Sequence, residues 1–279
     1  MKIGKYDCSS IEMGKFVLDG GAMFGVVPKV LWEREIPADY KNRIPMSARC
    51  LLIQGDNKKI LVDTGMGNKF SDKEKKIYGL KEVFDIESKL SELNLSCKDI
   101  TDVILTHLHF DHAGGATKIE NGKIIPTFQN AQYHVQKEHF HSALNPTKRD
   151  KASFIKDNFE PLMNHGVLKT LDGFCELFED IEFIITKGHT NFQQHPLIKG
   201  ENNSLFFCGD IFPTASHLPV SWHMGYDNNP LTILDEKENL LKRALNEKWI
   251  MFFEHDPKIP AVTLKEGKKG IEIDQVIEI

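Results

Sequence analysis

The run Thr106-His107-Leu108-His109-Phe110-Asp111-His112-Ala113-Gly114-Gly115 places three imidazoles and a carboxylate within six residues. Such groups repel or compete for water when unpaired. Around a borderline-soft divalent cation they are compatible, because zinc takes nitrogen and carboxylate ligands together. The chemistry to expect is therefore metal-assisted, with nitrogen and oxygen donors. None of the five cysteines, Cys8, Cys50, Cys97, Cys175 and Cys208, forms a Cys-x-x-Cys pair, and four have apolar neighbours. They read as reduced thiols packed as small hydrophobes.

More acids and imidazoles stand directly after short apolar runs. Asp63 follows Ile60-Leu61-Val62, and His107 follows Val103-Ile104-Leu105-Thr106. His189 follows Ile184-Ile185, Asp210 follows Phe206-Phe207-Cys208, and His255 follows Met251-Phe252-Phe253. These nearly continuous runs, with Cys50-Leu51-Leu52-Ile53, have the character of strands buried on both faces. Loops at the ends of buried strands present side chains to one cleft on a rigid base. Five such ends imply one convergent site and one folding unit over residues 1–279, with residues 1–46 as an N-terminal strand and loop extension. Helical spacing is expected for Ile86, Leu90 and Leu93, for Leu234, Leu241, Ala244 and Leu245, and across residues 148–164 with Phe154, Ile155, Phe159 and Leu162 as the apolar face.

The chain has 279 residues, 41% hydrophobic and 27% charged, and a formal net charge of -5. That profile is globular with ample core, and it disfavours nucleic acid or an anionic membrane as partner. The start shows no apolar signal core and no run reaches a membrane span, so the expected location is the cytoplasm. The basic stretch Lys265-Glu266-Gly267-Lys268-Lys269-Gly270 reads as a solvated turn between strands.

The ordered set Leu61-Val62-Asp63-Thr64-Gly65, His107-x-His109-x-Asp111-His112, Gly188-His189-Thr190, Cys208-Gly209-Asp210 and Phe253-Glu254-His255-Asp256 resembles the motifs of the metallo-β-lactamase superfamily of hydrolases, over roughly residues 47–264. The resemblance implies an α/β fold, the four-layer αβ/βα sandwich. It implies two divalent ions, zinc first, with manganese, cobalt or iron as alternatives. His107, His109 and His189 would hold one; Asp111, His112 and His255 the other; Asp210 would bridge them, and Asp63 would orient the site from behind. Three protein ligands per ion leave an open position, as a catalytic site requires. Two ions can share a hydroxide and polarise the bond it attacks, with Asp111 or Asp210 carrying the proton. His195 competes with His189 but has no apolar run directly before it. The other histidines, His134, His139, His141, His165, His217 and His223, read as surface or satisfied core residues.

Two further stretches, Leu18 to Pro28 and Asp210 to Asp227, resemble the branch of quorum-quenching acyl-homoserine lactonases and related arylester and phosphotriester hydrolases. The implied substrate is a small lactone or ester, with a homodimer as a possible assembly. Phe24, Phe212, His217, Trp222, Met224 and Tyr226 are the candidate pocket residues. The lactonases of this branch carry a tyrosine three residues after the bridging aspartate; Pro213 stands there instead, leaving His217 or Tyr226 to assist at the carbonyl. Lys187 precedes Gly188 where many members have proline. The short interval between Asp210 and His255 disfavours the nucleases of the superfamily, and His112 disfavours its di-iron oxidoreductases. Without catalysis, the same ligands would make a metal-binding scaffold.

Overall fold

In the computed structural model, which describes residues 1–80, 85–174, 177–268 and 270–279, two sheets pack face to face. The first sheet holds β1 (Lys2–Ile3), β2 (Tyr6–Asp19), β3 (Arg43–Gly55), β4 (Lys58–Val62) and β5 (Asp102–Ile104). A separate ribbon of β6 (Thr117–Glu120) and β7 (Lys123–Pro126) interrupts the chain before β8 (Gln132–Gln136) and β9 (Leu168–Leu171) complete the seven-stranded order β1-β2-β3-β4-β5-β8-β9. The second sheet runs in sequence order: β10 (Ile181–Thr186), β11 (Gln193–Ile198), β12 (Ser204–Phe207), β13 (Trp249–Phe252), β14 (Ala261–Gly267) and β15 (Gly270–Ile277). The helices are α1 (Gly20–Phe24), α2 (Lys29–Trp32), α3 (Asp72–Tyr78), α4 (Ile86–Glu92), α5 (Phe110–Ala113), α6 (Lys137–Leu144), α7 (Glu160–Asn164) and α8 (Pro230–Asn246).

The unbroken apolar strands have a simple cause. In β3, Leu51 and Ile53 point between the sheets, while Cys50 and Leu52 point to the outer layer carrying α4. In β13, Ile250 and Phe252 face the intersheet core, while Trp249 and Met251 face α8. Alternate side chains enter different cores, so neither face can be polar. The result is four layers, helices outside and sheets inside. Residues 1–46 are built into this frame: β2 pairs with β3 from Asp7 to Asp19 and contributes Ile11, Met13 and Phe16 to the outer core.

Two expected helices differ in detail. Residues 148–164 form two single 3₁₀ turns, Lys151–Ser153 and Lys156–Asn158, followed by α7. Pro161 sits in the first turn of α7, and a proline there cannot continue a helix arriving from its N-terminal side, because it lacks the N–H and clashes with the carbonyl four residues back. Phe154, Phe159 and Leu162 are still buried, each from a different turn. In α8 the buried face is Ile233, Lys237, Leu240, Leu241 and Ala244, so Leu234 and Leu245 stand beside it. The basic stretch is the β14–β15 connection, with Lys269 outside the described residues. Cys8, Cys50, Cys97 and Cys208 are buried free thiols; Cys175 lies outside the described residues. No helix among the described residues is long and apolar enough to cross a membrane.

The parallel pairs β4–β5 and β12–β13 decide where the chemistry goes. Parallel strands end at the same edge of a sheet and need long crossovers. Asp63 and the His107 to His112 run thus leave one sheet side by side, as do Asp210 and His255 from the other.

A candidate dinuclear metal centre

The loop after β4 and the histidine-rich run are locked together. Thr64 donates from N and from Oγ1 to the His112 carbonyl at 2.8 Å each, and Gly115 N donates to Gly65 O at 3.1 Å. A Cβ on Gly114 would lie 2.0 Å from Met66 O, and one on Gly115 2.2 Å from Thr64 O. The two motif glycines therefore permit a backbone approach that no side chain would allow.

Seven donors converge from four loops, those after β5, β10, β12 and β13. His107, His109, His189 and Asp210 form one cluster; Asp111, His112 and His255 form another. All seven are buried. In the first cluster, His109 Nδ1 lies 3.0 Å from His107 Nε2 and 3.2 Å from His189 Nε2, while Asp210 Oδ2 is 3.1 Å from His189 Nε2 and 3.8 Å from His107 Nε2. In the second, His255 Nε2 is 3.1 Å from His112 Nε2 and 3.2 Å from Asp210 Oδ1. Asp111 stands 3.9 Å from His112 and 3.8 Å from His255. Asp210 thus offers one oxygen to each cluster.

These spacings test whether an ion fits. Four donors at the usual zinc–nitrogen length of about 2.0–2.1 Å around a tetrahedral ion lie roughly 3.3 Å apart, which is the spacing seen. Hydrogen bonding cannot account for the first cluster: one ring nitrogen, His109 Nδ1, faces two others and has only one proton or one lone pair to give. Asp210 Oδ1 is buried without a hydrogen-bond partner. The donor set fits a pair of divalent cations.

The far nitrogens of the rings are held as a ligand set requires. Nδ1 of His189 faces Asp227 Oδ1 at 2.9 Å, Nδ1 of His112 faces Asp63 Oδ2 at 3.0 Å, and Nδ1 of His255 faces the Ser47 carbonyl at 2.8 Å. A proton on each Nδ1 leaves the Nε2 lone pair aimed at the cluster. Asp63 sits at φ 55° and also accepts from Thr106 N and Oγ1 at 2.7 and 2.6 Å, tying its own loop to the start of the histidine run.

The electrostatics agree with that fit. Burial, reinforced by neighbouring imidazoles, holds His107 and His109 well below the ordinary imidazole range, so their lone pairs are free. Burial disfavours the Asp210 anion, but the facing imidazoles of His112, His189 and His255 outweigh it and hold the carboxyl well below its usual range. Burial likewise opposes a charge on His189 and His255, yet Asp210 and its neighbours raise both to about 9. The carboxylates demand positive charge here, which a divalent cation supplies in place of protons.

Three residues not anticipated from the sequence complete the setting. Asp227 orients His189 and also accepts from Met224 N at 2.8 Å. His139 Nε2 accepts from Leu108 N at 2.8 Å while its Nδ1 donates to Asn191 O at 2.7 Å, pinning the backbone between His107 and His109. Glu254 lies 2.9 Å from His112 Nδ1, and burial pushes its carboxyl up to about 8. Asp227 and Glu254 lie in stretches that carry the family resemblance, so position gave a signal. Nothing in local spacing marked His139.

A cavity of about 270 Å³ opens over the centre. His109, Asp111, His189, Asp210 and His255 form part of its wall, with Met23, Met46, Phe110, Met224, Tyr78 and Tyr226 around them. The structure corrects the expected pocket. Tyr226 and Met224 line the cavity, but Phe24 is fully buried, stacked between Trp32 and His217. Phe212 is fully buried in the core under α8. Trp222 packs edge-on against Phe24. His217 has both nitrogens engaged, by Thr214 Oγ1 at 2.7 Å and Met23 O at 2.9 Å, and does not reach the cavity. Large aromatic residues near a motif packed the core instead. His195 is inside β11, bonded to Thr186 and Phe207, away from both clusters.

The family model of the metallo-beta-lactamase superfamily matches residues 43–255. The chain belongs to that superfamily. It is 26% identical over 230 residues to an N-acyl homoserine lactonase of Bacillus cereus, covering 77% of this chain and 83% of that one. The crystal structure of a probable metal-dependent hydrolase from Staphylococcus aureus superposes with a TM-score of 0.92 at 32% identity, covering 100% of this chain and 99% of the other. A dizinc quorum-quenching lactonase in complex with a product shares the fold, with a TM-score of 0.83 at 21% identity over 100% and 97% of the two chains. The superfamily assignment, the four-layer fold and the hydrolase class agree with the motifs.

Proposed function

We propose that this hydrolase opens lactones or related small esters at a dinuclear centre, with zinc the expected ion. One observation carries the reading: Asp210 presents its two oxygens to two donor clusters at the base of a largely apolar cavity. The lactonase relative in Bacillus cereus supports the substrate class.

His107, His109 and His189 would hold one ion, and Asp111, His112 and His255 the other, with Asp210 between them. When bound, the ions supply a nucleophile from water near neutral pH and polarise the carbonyl under attack. The chain's own residues do the rest. Asp111, in the cavity wall, accepts the proton released at attack and returns it to the leaving oxygen. Pro213 cannot donate a hydrogen bond to substrate. Tyr226 and Tyr78 line the cavity, and neither hydroxyl bonds another described residue; Tyr226 takes the carbonyl-assisting role. The sulfur-rich and aromatic wall excludes water from the acyl portion and orients it.

The test loads the protein with zinc, manganese or cobalt and measures kcat/KM on lactones, aryl esters and phosphotriesters. Two ions per chain with lactone or carboxylic-ester turnover is the expected result. Two ions with turnover of phosphotriesters alone would reassign the substrate and keep the centre. Fewer than two ions at saturation would overturn the centre itself.

A further inference from the structure

Arg149 is the one arginine or lysine in the cavity wall among the described residues; it is exposed at the rim and forms no ion pair with any of them within 4 Å. It is nonetheless held in place. Its Nη2 donates to the carbonyls of Gly225 and Asp227, the second at 3.0 Å. The neighbouring Asp150 is already engaged, through Oδ2 by Asn228 at 2.9 Å and through Oδ1 by Thr147 at 2.7 Å. The guanidinium has five N–H donors. Two serve the Gly225–Asp227 loop, and three, on Nε and Nη1, have no partner among the described residues.

A fixed, unpaired guanidinium beside a pocket for an acyl group is an anion receptor. Arginine is pre-organised for carboxylate, and anchoring one end removes most of the entropy that an exposed side chain would lose on binding. The wall near it is mixed: Met224 and Tyr226 stand on the loop that it grips, and Asp150, its carboxylate already engaged, and Ser153 flank it in sequence. Resting on the lactone and ester reading above, we propose that Arg149 selects substrates whose acyl portion carries a second, distal carboxylate: half-esters or lactones of dicarboxylic acids in preference to purely alkyl ones.

Two measurements test this on full-length, metal-loaded protein. The first compares kcat/KM for the p-nitrophenyl ester of hexanoate with that for the mono-p-nitrophenyl ester of adipate. In the wild type the adipate ester is preferred. Arg149→Gln lowers the adipate-to-hexanoate ratio at least tenfold, and Arg149→Lys, which keeps the charge, restores part of it. A ratio unchanged by Arg149→Gln, with both esters slowed together, would show that Arg149 only clamps the loop and would overturn the proposal. The second is calorimetric titration with adipate and hexanoate themselves, which needs no turnover. Adipate binds the wild type at least tenfold tighter than hexanoate, and Arg149→Gln removes the difference. Equal affinities in the wild type would also overturn the proposal. Failure of both esters to react, with the adipate preference intact in the titration, would count against the proposed reaction and leave the carboxylate site standing.

Discussion

Asp227 is the sharpest point at which to perturb the centre, because it touches no proposed ion and yet fixes a ligand. Its carboxylate is 1% exposed, accepts from His189 Nδ1 at 2.9 Å through one oxygen and from Met224 N at 2.8 Å through the other. Asp227→Asn keeps the shape and replaces one acceptor by a donor. Whichever way the amide turns, one N–H faces another, and a buried donor left unsatisfied costs about 1–3 kcal/mol. If the amide oxygen stays on His189, the imidazole loses a charged partner and becomes a weaker ligand. Outer partners of this kind are worth about 10–100-fold in metal affinity, or roughly 1.4–2.8 kcal/mol. The assay is a zinc titration against a chromophoric chelator, with urea unfolding of the metal-free protein alongside. One of two zinc equivalents weakens by that factor while the other holds, because His189 belongs to only one cluster. Wild-type affinity for both equivalents, or equal weakening of both, would refute the assignment of His189 to its own cluster through Asp227.

Lys237 is fully buried and donates to the carbonyls of His217, Pro219 and Trp222 at 2.6, 2.9 and 2.6 Å, which uses all three ammonium protons on the loop leading to Met224 and Tyr226. Lys237→Met strands the buried carbonyl of His217 and the part-buried ones of Pro219 and Trp222, so urea unfolding shows a loss of about 2 kcal/mol. His217 is held neutral, burial lowering its pKa from 6.5 to about 4. The unfolded chain then binds the proton more readily, so this contribution is present above pH 6.5 and is lost as the pH falls towards 4. That loss amounts to about 3 kcal/mol, and the stability–pH curve of His217→Gln is flatter across this window. Phe24→Ala and Tyr226→Phe separate core from cavity. The first costs about 3–5 kcal/mol of stability. The second leaves stability within about 0.5 kcal/mol and lowers kcat/KM about tenfold, the worth of one hydrogen bond to the carbonyl.

Much of the fold was legible because a strand buried on both faces must be apolar throughout, as Cys50 to Ile53 and Trp249 to Phe253 are. Helix phase was less legible. Lys237 lies on the buried face of α8, where a charged residue hides the 3.6-residue period, and Pro161 breaks residues 148–164 behind an apolar spacing that still looks helical.

The seven proposed ligands could be named from the chain alone because the motifs that carry the family resemblance, and their order, are written in it. A single imidazole or carboxylate after a buried strand can be a mere turn residue, but five such endings in a familiar order narrow the choice. Their partners could not be chosen that way. Asp227 meets His189 across 38 positions and His139 reaches Leu108 across 31. Those pairings exist only once crossovers have brought strand ends to one edge. The pocket wall depended on tertiary structure for a further reason: Phe24, Phe212 and Trp222 are chemically suited to a cavity and to a core alike. Only the packing of α1, α8 and the loops beside them sent those rings inward and left Tyr226 and Arg149 lining the cavity.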